Sequence, residues 1–452
     1  MQLFSHLLAE RQQAGNPVRT AVIGAGKFGG GLIVQLAQCP GMDAAVVADL
    51  DPDRARAVFA SCGLETRVVV AESQSAIADT VRAGKLAITS DPMLAARCEV
   101  IDVVVDATGV PEAGARHAVT AIEVGRHIVM VNVEADVTVG AALRRRADKA
   151  GVVYTLVDGD QPGCTMHMVE WAKTLGFEIV AAGRGTIYYS DDRDGTPDSV
   201  QERFGFSDEV MSRRTINTKM YNSFRDGTKA QVEMTALANM AGLPPDVRGM
   251  HEPSVDLEDM PRQFSLKEEG GLLSRSGVVE LANSIATDGE TMLPDPIKMG
   301  VFCVIRAEHP FIKEDLAAYG CHVGGDGHNM LLWRPYHLVA VEAPLSIAAA
   351  ALYGRPTGAP LPEPTADTIA VAKRDLRAGE SIDGGGGYTV NGIIEKASVS
   401  LQEGLLPLGL STGARLTADV ARGDAVGYAD VELPEPDSLL RQLRREQGDE
   451  AA

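Results

Sequence analysis

The chain has 452 residues and a formal net charge of −20 at neutral pH. This length allows two or three domains with a large buried core, and an apolar fraction of 45% is typical of globular proteins. The negative charge argues against nucleic acids and anionic membrane surfaces as partners, because both would repel the chain.

The lack of a recognisable targeting signal and the cysteine usage favour a cytoplasmic location. No apolar run approaches the ~20 residues of a membrane-spanning helix, and residues 1–15 lack the apolar centre and cleavage site of a signal peptide. Six cysteines are scattered without a C-x-x-C pair, as expected in a reducing compartment and not in a disulfide framework.

The first predicted element is a buried strand over residues 18–23, which runs into glycines and then into an apolar helix near residues 32–37. The glycines fit G-x-G-x-x-G, where the first allows a tight turn, the second lets a pyrophosphate approach and the third lets the helix pack closely. The free N–H groups of the helix would hold the phosphates. The residues expected to contact a dinucleotide in this turn are Gly24, Gly26, Lys27, Phe28 and Gly29.

A carboxylate follows the second predicted strand. Residues 44–48 form an apolar run that ends in Asp49, twenty residues after Gly29, where an acidic side chain can accept the ribose hydroxyls of an adenosine. A glycine-rich turn without a ligand is the alternative, and the spacing favours dinucleotide binding.

Short apolar runs then alternate with helical stretches up to residue 157. The predicted strands are 68–70, 100–106, 127–131 and 152–157, and the predicted helices begin near 51 and span 76–84, 112–124 and 139–150. This alternation predicts an α/β fold, a Rossmann doubly wound parallel sheet, over residues 1–160. Ligands bind at the carboxyl ends of such strands. Four residues after predicted strands should therefore face the ribose and nicotinamide: Thr108, Gly109, Asn132 and Glu134.

The pattern changes after residue 160, and residues 161–355 are predicted to form an α/β substrate domain. Arg213, Arg214 and Lys219 form a cationic cluster that could hold a phosphate or carboxylate, although a solvated surface is an equal alternative. Lys298, which precedes a predicted strand at 301–306, is also expected to bind the substrate.

Asp226, Lys229 and Glu233 are spaced three and four residues apart, so that one helix would stack them on one face. A lysine between two carboxylates at a cleft can donate a proton or clamp a substrate. Surface ion pairs have the same spacing, but the following apolar residues 237–243 favour a partly buried helix and a functional role.

A loop rich in glycine and histidine contains His322 and His328, which we expect to contact the substrate; a plain hairpin connection is the alternative. A metal site built on Cys321, His322 and His328 matches no zinc spacing, so a divalent metal is possible but not indicated.

Residues 356–364 carry four prolines and predict a linker. Residues 356–452 as a whole are predicted to contain this linker, a small β-rich domain and a polar tail.

Taken together, four motifs resemble the homoserine-dehydrogenase-like NAD(P)-dependent oxidoreductases, and within them the 1-deoxy-D-xylulose 5-phosphate reductoisomerase-like branch. The motifs are the glycine turn at 24–29, Asp-Ala-Thr-Gly at 106–109, Asp-Gly-Asp-Gln-Pro-Gly at 158–163 and Arg-Pro-Tyr-His-Leu at 334–338. Residues 372–380 are similar to SAF domains, which are small β folds. The resemblance also implies a homodimer formed through the substrate domain.

The resemblance implies an NADPH-dependent rearrangement and reduction of 1-deoxy-D-xylulose 5-phosphate to 2-C-methyl-D-erythritol 4-phosphate, a step of isoprenoid synthesis. By residue type, Lys229 with Asp226 and Glu233 would polarise the carbonyl and accept a proton, and the cationic cluster would bind the phosphate. Homoserine dehydrogenases have a lysine where this chain has Val133, which disfavours homoserine oxidation. Asp49 favours NAD over NADP, whereas the resemblance implies NADPH.

Two other functions remain open at this stage. One is a dehydrogenase of another small hydroxy acid, semialdehyde or sugar phosphate. The other is a non-catalytic, NAD(P)-responsive binding protein. In each case the partner is a small molecule, phosphorylated or carboxylated if it is a substrate.

Overall fold

The computed structural model describes residues 4–213, 216–324, 327–435 and 437–448. Two compact units are present: unit 1 contains Met1–Gly163 and Leu338–Pro362, and unit 2 contains Cys164–His337 and Glu363–Ala452. None of the helices formed by the described residues has the length and apolarity required to cross a membrane.

Helices and strands alternate through the first third of the chain and mix less regularly afterwards. The strands are β1 (Val18–Ile23), β2 (Met42–Ala48), β3 (Val68–Val70), β4 (Leu86–Thr89), β5 (Val103–Asp106), β6 (His127–Met130), β7 (Tyr154–Leu156), β8 (Glu178–Thr186), β9 (Val278–Asn283), β10 (Val301–Arg306), β11 (His322–Val323), β12 (Asn329–Arg334), β13 (Ala366–Ala372), β14 (Val390–Lys396), β15 (Arg415–Leu416) and β16 (Val431–Glu432). The helices are α1 (Ser5–Gln13), α2 (Lys27–Leu36), α3 (Pro52–Ser61), α4 (Gln74–Arg82), α5 (Pro92–Ala96), α6 (Pro111–Glu123), α7 (Val133–Ala150), α8 (Gln161–Thr174), α9 (Val200–Phe204), α10 (Asp208–Arg213), α11 (Thr218–Arg225), α12 (Thr228–Ala241), α13 (Met260–Gln263), α14 (Pro310–Ala318), α15 (Ala343–Ala348), α16 (Ala397–Glu403), α17 (Leu408–Ser411) and α18 (Leu439–Gln447).

Unit 1 is built on a seven-stranded sheet of order β3-β4-β2-β1-β5-β6-β7. Every pairing in it is parallel, and Val22 of β1 lies in register with Val47 and Val105 on either side. These valines are fully buried, as expected for strands covered by helices on both faces. The predicted doubly wound sheet is confirmed.

Two details of unit 1 differ from the sequence-based prediction. Strand β4 and helix α5 occupy a stretch where no element was predicted, because four residues between turns give too short a pattern to identify. Helix α7 begins at Val133 and not at residue 139, because the side chain of Asn132 caps it by accepting a hydrogen bond from Ala135 N at 3.1 Å.

Residues 338–362 also belong to unit 1, although most of them were predicted in the substrate domain. Gly358 O accepts a hydrogen bond from Leu156 N at 2.7 Å, which attaches this segment to the edge strand β7. Helix α15 packs against α2 and continues as a π-helical turn over Ala349–Tyr353. This alanine-rich helical segment completes the core of unit 1.

Unit 2 contains a five-stranded sheet of order β11-β12-β10-β8-β9. Strand β10 is antiparallel to β8 and β12, whereas β8 and β9 are parallel. Helix α12 is buried along almost its whole length and packs against β8 and β9 as well as against β13 and β14. Strand β9 lies in a region where the sequence analysis predicted no strand.

The predicted third domain, residues 356–452, is not a separate compact unit. From residue 363 onward the chain packs into unit 2, and Asn239 Oδ1 on α12 accepts hydrogen bonds from Thr365 N and Ala366 N at 2.8 and 2.9 Å. Strands β13 and β14 form only a two-stranded sheet, which cannot bury a core without help from another element. Helix α12 supplies the missing surface.

Candidate functional site

The glycine turn between β1 and α2 has the geometry expected for a pyrophosphate site. Gly24 has a φ of +96°, and an added Cβ would lie 2.9 Å from Ala107 O. A Cβ on Gly29 would lie 1.8 Å from Gly24 O, so only glycine lets α2 pack this closely. A Cβ on Gly26 would meet no atom within 4 Å. The turn is therefore closed on its protein side at Gly24 and Gly29 and open at Gly26.

Helix α2 presents backbone donors to this open space. Gly26 is its N-cap residue, and no side chain of the described residues caps it. The N–H groups of a helix's first turn have no partner within the helix, and together with the positive end of the helix dipole they suit a phosphate. Lys27 is exposed at this end, whereas Phe28 packs against the apolar core of unit 1, which limits the contact that Phe28 can make with a ligand.

The structure brings Asp49 next to the glycine turn. Its Oδ2 accepts a hydrogen bond from Ala25 N at 2.7 Å, and its Oδ1 accepts one from Asp51 N at 2.9 Å. Arg54 Nη1 lies 3.7 Å from Oδ1. The carboxylate is thus fixed beside the turn, with a guanidinium close enough to offset part of its charge.

Thr108 and Asn132 come together at the carboxyl ends of β5 and β6 around the buried carboxylate of Asp106. Thr108 Oγ1 donates to Asp106 Oδ1 at 3.0 Å, and Asn132 Nδ2 donates to Asp106 Oδ2 at 3.1 Å. His117 Nδ1 lies 2.8 Å from Asp106 Oδ1. These side chains hold the two strand ends together, a role for Asp106 and His117 that was not predicted. The side chain of Asn132 is engaged in this network and in capping α7.

The two remaining predicted cofactor residues lie at the same edge of the sheet. Gly109 has a φ of +69°, and a Cβ there would meet no atom within 4 Å. Glu134 is half-buried in the first turn of α7, where its carbonyl oxygen accepts a hydrogen bond from Thr138 Oγ1 at 2.7 Å.

In unit 2, the predicted stack of Asp226, Lys229 and Glu233 on one helix does not form. Helix α11 ends at Arg225, and Gly227, with a φ of +86°, separates it from α12. Asp226 lies in this break, where its Oδ1 accepts a hydrogen bond from Thr228 N at 2.9 Å. Lys229 and Glu233 are both on α12, so only this pair keeps the predicted spacing.

Asp226 is fully buried and paired with a lysine from the C-terminal part of unit 2. Lys373 Nζ donates to Asp226 Oδ2 at 2.6 Å, to Gly195 O at 2.8 Å and to Gly387 O at 2.9 Å. Three acceptors satisfy all three protons of an ammonium group. The pair therefore fixes the junction between α11 and α12.

Glu233 is paired with Arg184 of β8, and both side chains are buried. Arg184 Nε also donates to Gly185 O at 3.0 Å. Lys229 is half-buried at the start of the same helix.

The predicted substrate-binding residues have separate partners. The side chain of Arg213 and the whole of Arg214 lie outside the described residues. Lys219 Nζ donates to Asp383 O at 2.6 Å, and the N–H of Lys298, which has a φ of +54°, donates to Ser284 Oγ at 3.0 Å.

The two loop histidines do not form a metal site. His322 is half-buried on β11, and His328 Nδ1 lies 3.2 Å from Glu308 Oε2. Among the residues that the structure describes, no three His, Cys, Asp or Glu side chains are grouped so that they could hold a metal ion. The described residues therefore do not fit a metal cofactor, and no step is assigned to one.

Two family models match the chain in tandem. The model described as homoserine dehydrogenase, NAD binding domain, matches residues 24–156, and the model described as oxidoreductase DRL, catalytic domain, matches residues 159–343. The first includes the glycine turn and Asp49, and the second includes α12. A search of curated proteins found no match.

Solved structures show limited similarity to the chain. A probable dehydrogenase from Thermotoga maritima is 11% identical, with a TM-score of 0.41 over 75% of this chain and 90% of that protein. A DOX-P reductoisomerase in complex with magnesium is 13% identical, with a TM-score of 0.33 over 74% and 79%. A myo-inositol dehydrogenase from Lactobacillus casei, in complex with NAD(H) and myo-inositol, is 14% identical, with a TM-score of 0.28 over 41% and 50%. Similarity at this level assigns no activity.

The two tandem matches and the geometry of the glycine turn agree on the chemistry of the chain. The NAD-binding model matches the part of the chain in which the glycine turn is open to a phosphate. The catalytic-domain model matches the residues that follow it. This pair does not support a non-catalytic binding protein. The chain is an NAD(P)-dependent oxidoreductase.

Proposed function

We propose that the protein reduces a small phosphorylated carbonyl compound, and that the specific reaction converts 1-deoxy-D-xylulose 5-phosphate to 2-C-methyl-D-erythritol 4-phosphate. The observation that carries this proposal is the match of residues 159–343 to the oxidoreductase DRL catalytic domain, directly after the NAD-binding match. The motifs at 158–163 and 334–338, which resemble the reductoisomerase-like branch, lie at or near the two ends of that match.

Unit 1 holds the cofactor in this proposal. The open face of Gly26 and the backbone donors of α2 bind the pyrophosphate, and the carboxylate of Asp49 is placed to accept the ribose hydroxyls. The bound nicotinamide supplies the hydride. Arg54, 3.7 Å from Asp49, lowers the negative charge that would repel a 2′-phosphate, so both NAD and NADP are to be tested.

Unit 2 binds and activates the substrate. Lys229 is the residue we assign to the substrate carbonyl, because an ammonium group can polarise it or clamp a neighbouring oxygen. Asp226 and Glu233 are each held in a buried ion pair, with Lys373 and Arg184. We therefore assign both carboxylates the role of positioning α12.

The test is a steady-state assay with NADPH and with NADH against 1-deoxy-D-xylulose 5-phosphate and a panel of semialdehydes and keto-sugar phosphates. The product is identified by mass spectrometry and NMR. We expect turnover with 1-deoxy-D-xylulose 5-phosphate and formation of 2-C-methyl-D-erythritol 4-phosphate. Turnover only with another carbonyl compound would contradict the specific reaction and favour a dehydrogenase of that substrate.

Lys229→Met tests the site itself. Loss of the ammonium group is expected to lower kcat by about 100-fold or more, while leaving cofactor affinity unchanged. Lys85→Met, at an exposed lysine in unit 1, is the matched control. Activity near the wild-type value in Lys229→Met would remove this residue from the mechanism.

A further inference from the structure

A histidine that the sequence analysis did not single out is held by a buried carboxylate in unit 2. His251 Nδ1 lies 2.6 Å from Glu280 Oε1, and the backbone N–H of His251 donates to Glu280 Oε2 at 3.1 Å. Glu280 is on β9 and has no exposed surface. A carboxylate at Nδ1 makes this nitrogen the donor, which fixes the tautomer and the direction of the ring.

The other ring nitrogen faces a carboxylate but makes no hydrogen bond to it. His251 Nε2 lies 3.7 Å from Asp246 Oδ2, which is within ion-pair distance but too long for a hydrogen bond, and both oxygens of Asp246 accept hydrogen bonds from Ser274. No described residue makes a hydrogen bond to Nε2 within 3.5 Å, and the side chain is 18% exposed. The ring is therefore held at Nδ1, and part of the side chain is accessible to solvent.

The backbone on both sides of His251 is strained. Met250 and Glu252 have φ values of +67° and +49°, a region that residues with a Cβ rarely adopt. Such conformations persist only where the surroundings impose them, and they cluster at functional sites.

The surroundings of this segment do impose its conformation. Gln231 Nε2, on α12, donates to Gly249 O at 2.9 Å and to Glu252 Oε1 at 2.7 Å. Glu252 also forms an ion pair with Arg193. The segment that carries His251 is thus attached to α12, the helix that carries Lys229.

We propose that His251 is the proton donor to the substrate oxygen and that Glu280 is its positioning residue. This inference rests on the proposed carbonyl reduction. The carbonyl carbon gains the hydride, the π electron pair of the C=O bond moves to oxygen, and this oxygen takes the proton from His251 Nε2. The products are an alcohol, NAD(P)⁺ and a neutral imidazole, which regains a proton from solvent.

The charges around the ring favour its protonated form. The groups that face His251 are Glu280, Asp246 and Lys267, two carboxylates and one ammonium. The hydrogen bond to Glu280 raises the pKa of His251 above its ordinary value, against the opposing effect of burial. Burial raises the pKa of Glu280. A raised imidazole pKa favours the charged form that a proton donor requires.

The first test compares two quantities in the wild-type protein. The alkaline limb of the kcat/KM profile should fall at the pKa of His251, measured by NMR titration of the free enzyme, because activity is lost when the donor loses its proton. A limb that does not coincide with that pKa would overturn the proposal.

The second test uses variants. His251→Gln and His251→Asn are expected to lower kcat/KM by about 100-fold at neutral pH with unchanged cofactor affinity, whereas His6→Gln, at an exposed histidine, has no effect. Glu280→Gln is expected to lower the NMR pKa of His251 and move the alkaline limb to lower pH by the same amount. Full activity in a folded His251 variant would overturn the assignment while leaving the reduction itself intact. A wild-type protein that reduces none of the carbonyl compounds would instead overturn the proposed function.

Discussion

The glycine turn of unit 1 and helix α12 of unit 2 obtain their geometry in opposite ways. In the turn, all three glycines lie within six residues. Nearby backbone atoms leave no room for a side chain at Gly24 and Gly29, whereas the space beside Gly26 is open. Around α12, Glu233 pairs with a residue 49 positions away and Asp226 with one 147 positions away. The turn is a property of a short segment, whereas the environment of α12 exists only in the folded unit.

The largest effect is expected from Gly29→Ala. Alanine normally favours a helix, but its Cβ would lie 1.8 Å from Gly24 O. Neither atom can move away without a shift of the backbone, because the oxygen belongs to the backbone and the Cβ is bonded directly to it. We expect a loss of more than about 3 kcal/mol in the free energy of unfolding, measured by denaturant titration. Gly30→Ala, whose Cβ would make only ordinary contacts at 3.4 Å or more, should be as stable as wild type. Equal stability of the two variants would contradict the close packing of α2.

The next effect is expected from Lys373→Met. Removal of this ammonium group leaves the carboxylate of Asp226 buried without its charge partner, which costs about 3 kcal/mol. The exposed pair of Arg377 and Asp419 provides the control, because Arg377→Met should leave the unfolding temperature unchanged. If both variants unfold at the wild-type temperature, the C-terminal residues do not support α12.

A smaller, pH-dependent effect is expected at Asp136. Burial raises the pKa of this carboxyl from 3.8 to about 7, against a hydrogen bond from Tyr154. The folded protein binds this proton more tightly than the unfolded chain does, so stability should fall as the pH rises from about 4 to about 7.

Asp136→Asn removes this ionisable carboxyl group, so the loss of stability with rising pH should become smaller. We expect the free energy of unfolding at pH 8 to increase by an amount on the order of 2 kcal/mol. Unfolding temperatures across the pH range measure it, with the exposed Asp79→Asn as the control. A profile of Asp136→Asn that is parallel to wild type would contradict the prediction.

The smallest effect is expected from Gly26→Ala. The added methyl group meets no protein atom, so stability should stay within about 1 kcal/mol of wild type. It would occupy the space that a pyrophosphate approaches, and we expect at least about a tenfold loss of cofactor affinity in calorimetry. Unchanged affinity would place the phosphates elsewhere.

The sequence was informative where local rules determine structure. The glycine spacing, the position of Asp49 and the alternation of strands and helices predicted the sheet of unit 1 because each depends on neighbouring residues. The regular spacing of Asp226, Lys229 and Glu233 was misleading, because Gly227 interrupts the helix. Arg184, Lys373 and Glu280 carry no local signal of the partners they find, since those contacts form only between distant segments.

The central claim is that the first β-α-β unit binds a nicotinamide dinucleotide. Isothermal titration of the purified protein with NADH and with NADPH tests it most directly. We predict saturable binding of at least one of them at one site per chain, weakened in Gly26→Ala. Absence of binding by both nucleotides to the folded protein would contradict the claim.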